Sequence, residues 1–243
     1  MQWYKEDLAY IHDAGYGNHA RQSAAAILDI WAENRLPKGL IVELGCGTGL
    51  SSLAFAEAGY DVLGVDISQS AIAIARTRVP KADFRVQSLF EVDIPSCCAV
   101  TAIGEVLNYL FATDGDRAER IGLFNKIYNA LIPGGIFVFD IAEPGQVQSE
   151  KAVQEFTEGE DWVVLVEKEE DRDRAILSRR IVTFRQVGEY YRRDEEIHRQ
   201  RLYRAIDLAK ELRQTGFEAR IARGYGDYLL PPSRRAIVAH KPR

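Results

Sequence analysis

The sequence predicts an α/β fold in which a mostly parallel sheet carries helices on both faces and an antiparallel meander is inserted late in the chain. Three observations predict it. Short apolar strands alternate with helical segments through residue 141, the pattern of βαβ units. A glycine-rich loop, Gly45-Cys46-Gly47-Thr48-Gly49, joins the first strand to the helix after it. Between residues 145 and 203 the alternation gives way to consecutive long strands separated by short turns.

Residues 5–35 carry a helical signal, clearest from Ala20 to Trp31, and Pro37-Lys38-Gly39 breaks it. Inside it, residues 10–19 hold two glycines, two histidines and two tyrosines outside any periodic pattern, which reads as a loop. Leu40–Leu44 is a short buried strand, and Leu50–Ala58 a helix stopped by Gly59. Asp61–Val65 is a second strand closed by Asp66. Ser68 can cap a helix running to Arg78 and ended by Pro80. Strands follow at 82–87 and 99–104. An amphipathic helix at 116–131 ends in Pro133-Gly134-Gly135, and Ile136–Ile141 is a fifth strand. Residues 162–168, 175–187 and 189–203 read as the meander. A helix over 204–215, closed by Gly216, and strands at 217–223 and 235–240 finish the chain. The expected organisation is one domain: an N-terminal helical lid (1–38), a ligand-binding core (39–144), the inserted meander (145–203) and a C-terminal return to the core (204–243).

Composition narrows the class. With 243 residues and 47% hydrophobic content the chain can bury one large core. No apolar run reaches the roughly 20 residues that cross a bilayer, and the first ten residues lack the apolar stretch of a secretion signal. No membrane partner is expected. Three cysteines, two of them adjacent at Cys97-Cys98, and no CxxC pair support neither a disulfide framework nor a metal site, so a reducing cytoplasm is expected. The net charge of −5 argues against nucleic acid as a partner. The charge is uneven, −13 over residues 1–170 and +8 over 171–243. Because Arg and Glu interleave there, the favoured reading is a solvated sheet face with cross-strand pairs. The alternative is an electropositive wall near an anionic substrate.

A glycine loop between strand and helix lets backbone approach a ligand, with free N–H groups of the helix behind it. The dinucleotide fingerprint is G-x-G-x-x-G. Here Gly45, Gly47 and Gly49 give G-x-G-x-G, and no Gly-Lys-Ser/Thr follows, which opposes an NAD(P)-dependent oxidoreductase and a P-loop. Glu43 lies inside the first strand, where an acid suits a ligand with a cationic group better than a phosphate. Asp66, at the tip of the second strand, can accept hydrogen bonds from a ribose.

VELGCGTG, then GVDIS, then LIPGGIFVFDI resemble the class I S-adenosylmethionine-dependent methyltransferases, small-molecule type, along essentially the whole chain. The resemblance implies a Rossmann-like seven-stranded sheet of order 3-2-1-4-5-7-6 with an antiparallel last strand. It also implies S-adenosyl-L-methionine as cofactor and S-adenosyl-L-homocysteine as product. Gly45, Cys46, Gly47 and Gly49 would floor the amino-acid part, with Glu43 behind them. Asp66 would hold the ribose and Ile67 pack on the adenine. Ser88 and Leu89 stand where the family often has an acid for the adenine amine, and Gly104 and Glu105 where it approaches the methionine part. Arg21 could meet the cofactor carboxylate.

In-line methyl transfer needs alignment and exclusion of water more than a fixed catalytic set. Three places offer residues to handle an acceptor, expected to be an N or O atom of a small molecule. Glu105 follows the fourth strand, where it orients the acceptor or starts a helix, and Tyr109 reads as packing. Tyr16, with His12, could line an N-terminal lid. In the meander, which resembles the inserted sheet of small-molecule methyltransferases, some acting on sugar amines, Glu196, His198 and Gln200 share one face. That face either roofs the acceptor or pairs charges across strands. Trp162 reads as a core anchor. The insertion could also build a homodimer. A binding protein that keeps the cofactor and has lost chemistry is the remaining alternative.

Overall fold

The computed structural model describes residues 3–110, 117–149 and 152–243. Its helices are α1 (Glu6–Glu33), α2 (Leu50–Glu57), α3 (Gln69–Arg78), α4 (Arg117–Ala130) and α5 (Ala205–Thr215). The seven core strands are β1 (Leu40–Leu44), β2 (Asp61–Asp66), β3 (Asp83–Val86), β4 (Cys97–Ala102), β5 (Leu131–Ala142), β10 (Glu218–Ala222) and β13 (Arg234–His240). The insertion supplies β6 (Val153–Glu158), β7 (Trp162–Asp171), β8 (Ile176–Val187) and β9 (Tyr190–Arg201), and a small hairpin pairs β11 (Gly224–Tyr225) with β12 (Tyr228–Leu229). The expected start of α4 at Asp116 lies outside the described residues.

The central sheet runs β10-β13-β5-β4-β1-β2-β3. In order of core strands this is the expected 3-2-1-4-5-7-6, with β13 antiparallel to both its neighbours. Alternation along the central strands builds two cores. Val42, Val100, Phe137 and Phe139 face α4 and α5, where Phe124, Ile127, Leu208 and Leu212 are buried. Ile41, Ala99, Ile136 and Val138 face the opposite layer, where Ile27 and Trp31 of α1 meet Phe55 of α2. Strands apolar on both faces are what a parallel sheet covered on both sides requires. Among the described residues no helix is long and apolar enough to cross a membrane.

The insertion is a four-stranded antiparallel sheet, β6-β7-β8-β9. Gly188 and Glu189 form the two-residue turn between Val187 and Tyr190, with Gly188 at φ +64°. Strand β6 was not expected. Its residues, VQEFTE, are almost all exposed, so no apolar alternation marks it.

The expected loop at residues 10–19 is absent, because α1 is one helix of 28 residues. Its glycines are there for close approach. A Cβ on Gly15 would stand 2.5 Å from the Trp162 ring, and one on Gly17 would stand 2.7 Å from Leu50. Trp162, Val164 and Ile181 of the insertion pack on Leu8 and Ile11. Helix α1 and the inserted sheet therefore form one wall, and Trp162 is a core anchor.

Candidate active site

The C-terminal edges of β1, β2, β3 and β4 open into a cavity of about 280 Å³, roofed by α1 and flanked by the insertion. Gly45, Gly47 and Gly49 all take positive φ, at +70°, +53° and +76°. A Cβ on Gly45 would lie 2.5 Å from Val106, and one on Gly49 would lie 3.0 Å from Ala75. Gly47 and Gly104 (φ +90°) have open space where a Cβ would stand, and both line the cavity. The floor is therefore bare backbone.

Asp66 ties this floor to β2. Its carboxylate accepts from Gly47 N at 2.9 Å and from Ser68 N at 2.8 Å. Burial pushes its pKa up, and the backbone N–H groups of Ser68 and Gly47 oppose that rise. Beside it, Ile67 shows an unusually exposed apolar side chain (36%), with Ser88 and Leu89 on the same wall. An apolar ledge beside a carboxylate suits a flat base carried on a ribose.

Glu43 is placed differently from expectation. It is 1% exposed and does not line the cavity. The hydroxyls of Ser51 and Ser52, in the first turn of α2, donate to its two oxygens. Burial raises its pKa to about 7 against these bonds. Its role is to bolt the helix after the glycine loop onto β1. Arg21 is exposed on α1, outside the cavity lining. His198 is 1% exposed and also outside that lining. Its ring lies 4.7 Å from Trp3 and 4.9 Å from Tyr4, and its Nε2 is 2.9 Å from Glu196. Glu196 also accepts from the backbone of Tyr4 and Lys5, at 2.8 and 2.9 Å. The face shared by Glu196 and His198 thus holds down the N-terminal segment and leaves the roofing to Tyr4.

Cys46, Tyr16 and Glu105 do line the cavity. The lid helix is fastened to the floor, since Thr48 donates to Asp13 at 2.5 Å and Arg78 donates to the other Asp13 oxygen at 2.8 Å. Glu105 sits at φ +60°, which an L-residue adopts at a cost. Asp140, fully buried on β5, holds that turn. It accepts from Gly104 N at 2.6 Å, Glu105 N at 3.3 Å and the Tyr225 hydroxyl at 2.7 Å. Burial raises its pKa to about 6. The Glu105 carboxylate accepts from Arg179 at 2.9 Å and Gln200 at 2.8 Å, and pairs with Arg234.

Sequence reasoning missed Tyr4, Asp140, Arg179 and Arg234. Asp140 had a usable signal, an acid inside the apolar strand IFVFDI, the same anomaly as Glu43 in LIVEL. The arginines had none beyond the basic excess of the last third.

The Methyltransferase domain family matches residues 41–135. The chain is 28% identical over 201 residues to YqeM of Bacillus subtilis (strain 168), which bears the name of a methyltransferase, with 77% of each chain covered. An S-adenosylmethionine-dependent methyltransferase from Clostridium acetobutylicum ATCC 824 shares the fold at a TM-score of 0.83 and 21% identity, over 97% of this chain and 98% of that one. The sugar N-methyltransferase KedS8 from Streptoalloteichus sp ATCC 53650 superposes at 0.78 and 20% identity, covering 96% and 92%. The chain is a class I S-adenosylmethionine-dependent methyltransferase. Its cofactor is S-adenosylmethionine, which the bare glycine floor, the Asp66 carboxylate and the Ile67 ledge fit. When bound, this cofactor supplies a methyl group activated on a sulfonium.

Proposed function

We propose that this enzyme methylates a nitrogen or oxygen atom of a small molecule held over the ends of β4 and β5. The observation that carries the reading is the narrowing of the cavity by side chains from the N-terminal segment and the insertion. Tyr4 and Tyr16 close it from the lid and Arg179 from the insertion, around a space of about 280 Å³. The cofactor would share that space, so what remains suits a compact acceptor and no duplex or protein surface. The likeness to a sugar N-methyltransferase favours nitrogen. In this cofactor assignment Asp66 holds the ribose, Ile67, Ser88 and Leu89 border the adenine, and Gly45, Cys46, Gly47 and Gly104 floor the amino-acid part, whereas Gly49, expected there too, lies outside the lining and packs on Ala75.

Glu105 faces the reacting end. Its carboxylate is fixed by two arginines and Gln200, so it serves to orient an N–H or O–H of the acceptor. With the cofactor bound, its sulfonium would supply the methyl group and take back the carbon–sulfur electron pair, while Glu105 would hold the acceptor in line. A neutral amine acceptor would become a methylammonium and lose its proton to solvent on release, needing no dedicated base, whereas a hydroxyl acceptor would have to give up its proton during transfer. Tyr16 and His12 border the same space and exclude water. The buried thiols of Cys46, Cys97 and Cys98 suit a reducing cytoplasm.

Incubation with methyl-labelled cofactor and a panel of amines, hydroxy-aromatics and nucleotide sugars tests the reading. Label should reach one small molecule. Label on nucleic acid, or on none of the panel, removes it. A homodimer through the inserted sheet would use its outer face, where Phe156 pairs with Leu165 and both are exposed. Sedimentation of a Phe156→Glu, Leu165→Glu variant as the same species as wild type would exclude that arrangement.

A further inference from the structure

The two ends of the cavity differ in chemistry, and the end away from Asp66 carries more cation than its carboxylate there needs. Arg179 of β8 and Arg234 at the head of β13 both line the cavity, with side chains 17% and 23% exposed. Both pair with one carboxylate, that of Glu105. A guanidinium has five N–H donors, and Glu105 engages one terminal nitrogen of each arginine. Arg179 Nε is buried with no hydrogen-bond partner among the described residues. Two cations on one carboxylate, both partly exposed to the cavity, leave positive charge and N–H donors that an anionic ligand could meet.

Neighbouring groups point the same way. Tyr4 lies within electrostatic reach of both arginines, and its hydroxyl is 2.8 Å from that of Tyr109. His19 borders the cavity close enough to feel Arg234. Its Nδ1 is hydrogen-bonded to the Tyr228 hydroxyl at 2.9 Å, and its buried Nε2 has no partner. Burial, Arg234 and His12 hold the His19 pKa down to about 4, so the ring is neutral and adds no positive charge. Asp140 lies beneath, its carboxylate already occupied by two backbone N–H groups and Tyr225.

Sheet order says which ligand this end serves. From β1, whose loop floors the cofactor, the order is β4, β5, β13. Three strand spacings are about 14 Å, so Arg234 starts well beyond the glycine loop. We propose that Arg179 and Arg234 form a subsite for an anionic group, a carboxylate or a phosphate ester, carried by the methyl acceptor, with Glu105 setting their spacing. This rests on the methyltransferase reading and deepens it: the acceptor is an anion. The electropositive wall that the uneven charge left open is thus two arginines, one from the insertion and one from the core.

The test saturates the protein with S-adenosylhomocysteine and follows thermal stability while inorganic phosphate or succinate is titrated at constant ionic strength. Wild type should be stabilised by one of these probes, and which one names the anion class. Arg179→Gln and Arg234→Gln should each weaken that probe by about fivefold or more, with S-adenosylhomocysteine affinity within about threefold of wild type. Should either glutamine variant fail to fold, Glu105→Gln decides. Removing the competing carboxylate should tighten the probe by about fivefold. No stabilisation of wild type by either probe overturns the proposal, and so does equal stabilisation of the arginine variants. A tenfold loss of S-adenosylhomocysteine affinity in those variants also overturns it, since the arginines would then hold the cofactor's own carboxylate. Unchanged or weaker probe binding in Glu105→Gln does the same. The titration needs no turnover, so it stands apart from the labelled-acceptor panel, whose failure would remove the small-molecule reading by itself.

Discussion

The end of the cavity beside Asp66 and the end beside Arg234 are built by different means. The first is mostly backbone: three left-handed glycines, N–H groups tied to one carboxylate, and an apolar ledge, all from residues 45–89. The second is side chain, drawn from residues 4, 105, 109, 179 and 234. A backbone floor tolerates almost no substitution and reads only what every methyl transfer shares. A side-chain wall can be exchanged residue by residue, which is how one fold serves many acceptors. Breaking the first end should abolish cofactor binding, and breaking the second should leave the cofactor bound and the acceptor lost.

The largest effect is expected at Gly45. A Cβ there would meet Val106 at 2.5 Å, in a backbone region that L-residues avoid. Left-handed strain and overpacking together cost about 2–5 kcal/mol. Gly45→Ala should lower Tm sharply and remove S-adenosylhomocysteine binding by calorimetry. A variant that binds normally would mean the floor is not a fixed surface. Asp66→Ala comes next. It removes the acceptor for Gly47 N and Ser68 N as well as the expected ribose contact. Affinity for S-adenosylhomocysteine should fall by about 1.5–3 kcal/mol, the range for hydrogen bonds to a charged group. Unchanged affinity would place the adenosine elsewhere.

Glu43 sharpens the comparison because it lies behind the floor. Its pKa is raised from 4.5 to about 7. A buried acid with a raised pKa contributes stability that is present below its unfolded pKa and lost as pH rises through the folded value. Wild type should therefore lose stability between about pH 4.5 and 7 relative to Glu43→Gln, by on the order of 1–3 kcal/mol. Asp140 shifts the same way and His19 the opposite way, with its contribution lost as pH falls from 6.5 through about 4. The difference between wild type and variant cancels both. Denaturant titrations at pH 5 and pH 8 read it, and a difference that does not change with pH would mean Glu43 titrates normally.

How much of this was legible follows the same division. The glycine loop, Asp66 and the ledge lie in one contiguous stretch whose spacing encodes its geometry, so that end could be read residue by residue. The seven-strand order could be read as well, because apolar runs and turn residues mark each element. Strand β6 could not, since a strand exposed along its length carries no alternation. Nor could the continuity of α1. Gly15 and Gly17 look like breakers until Trp162 and Leu50 are seen lying against them, and both partners are distant in sequence or belong to another element. The pairing of Arg179 and Arg234 on Glu105 joins residues 74 positions apart and more. No local pattern announces such a contact, and the interleaved charges of the insertion conceal it among ordinary cross-strand pairs.

The smallest expected effect tests the hinge between the two ends. Asp140 is fully buried and lies outside the cavity lining. It is a positioning residue, holding the Gly104–Glu105 peptide at the cavity, where the proposed assignment has one residue floor the cofactor and the next face the acceptor. Asp140→Asn keeps the volume and the bond from one backbone N–H, and replaces the other acceptor oxygen with a donor. The cost should be about 1–2 kcal/mol in the step that depends on Glu105. It should appear as a rise in KM for the acceptor with S-adenosylhomocysteine affinity within about threefold of wild type. A merely structural role would instead lower Tm and weaken both ligands together. Equal losses at the two ends would therefore show that the turn at Glu105 is not what separates them.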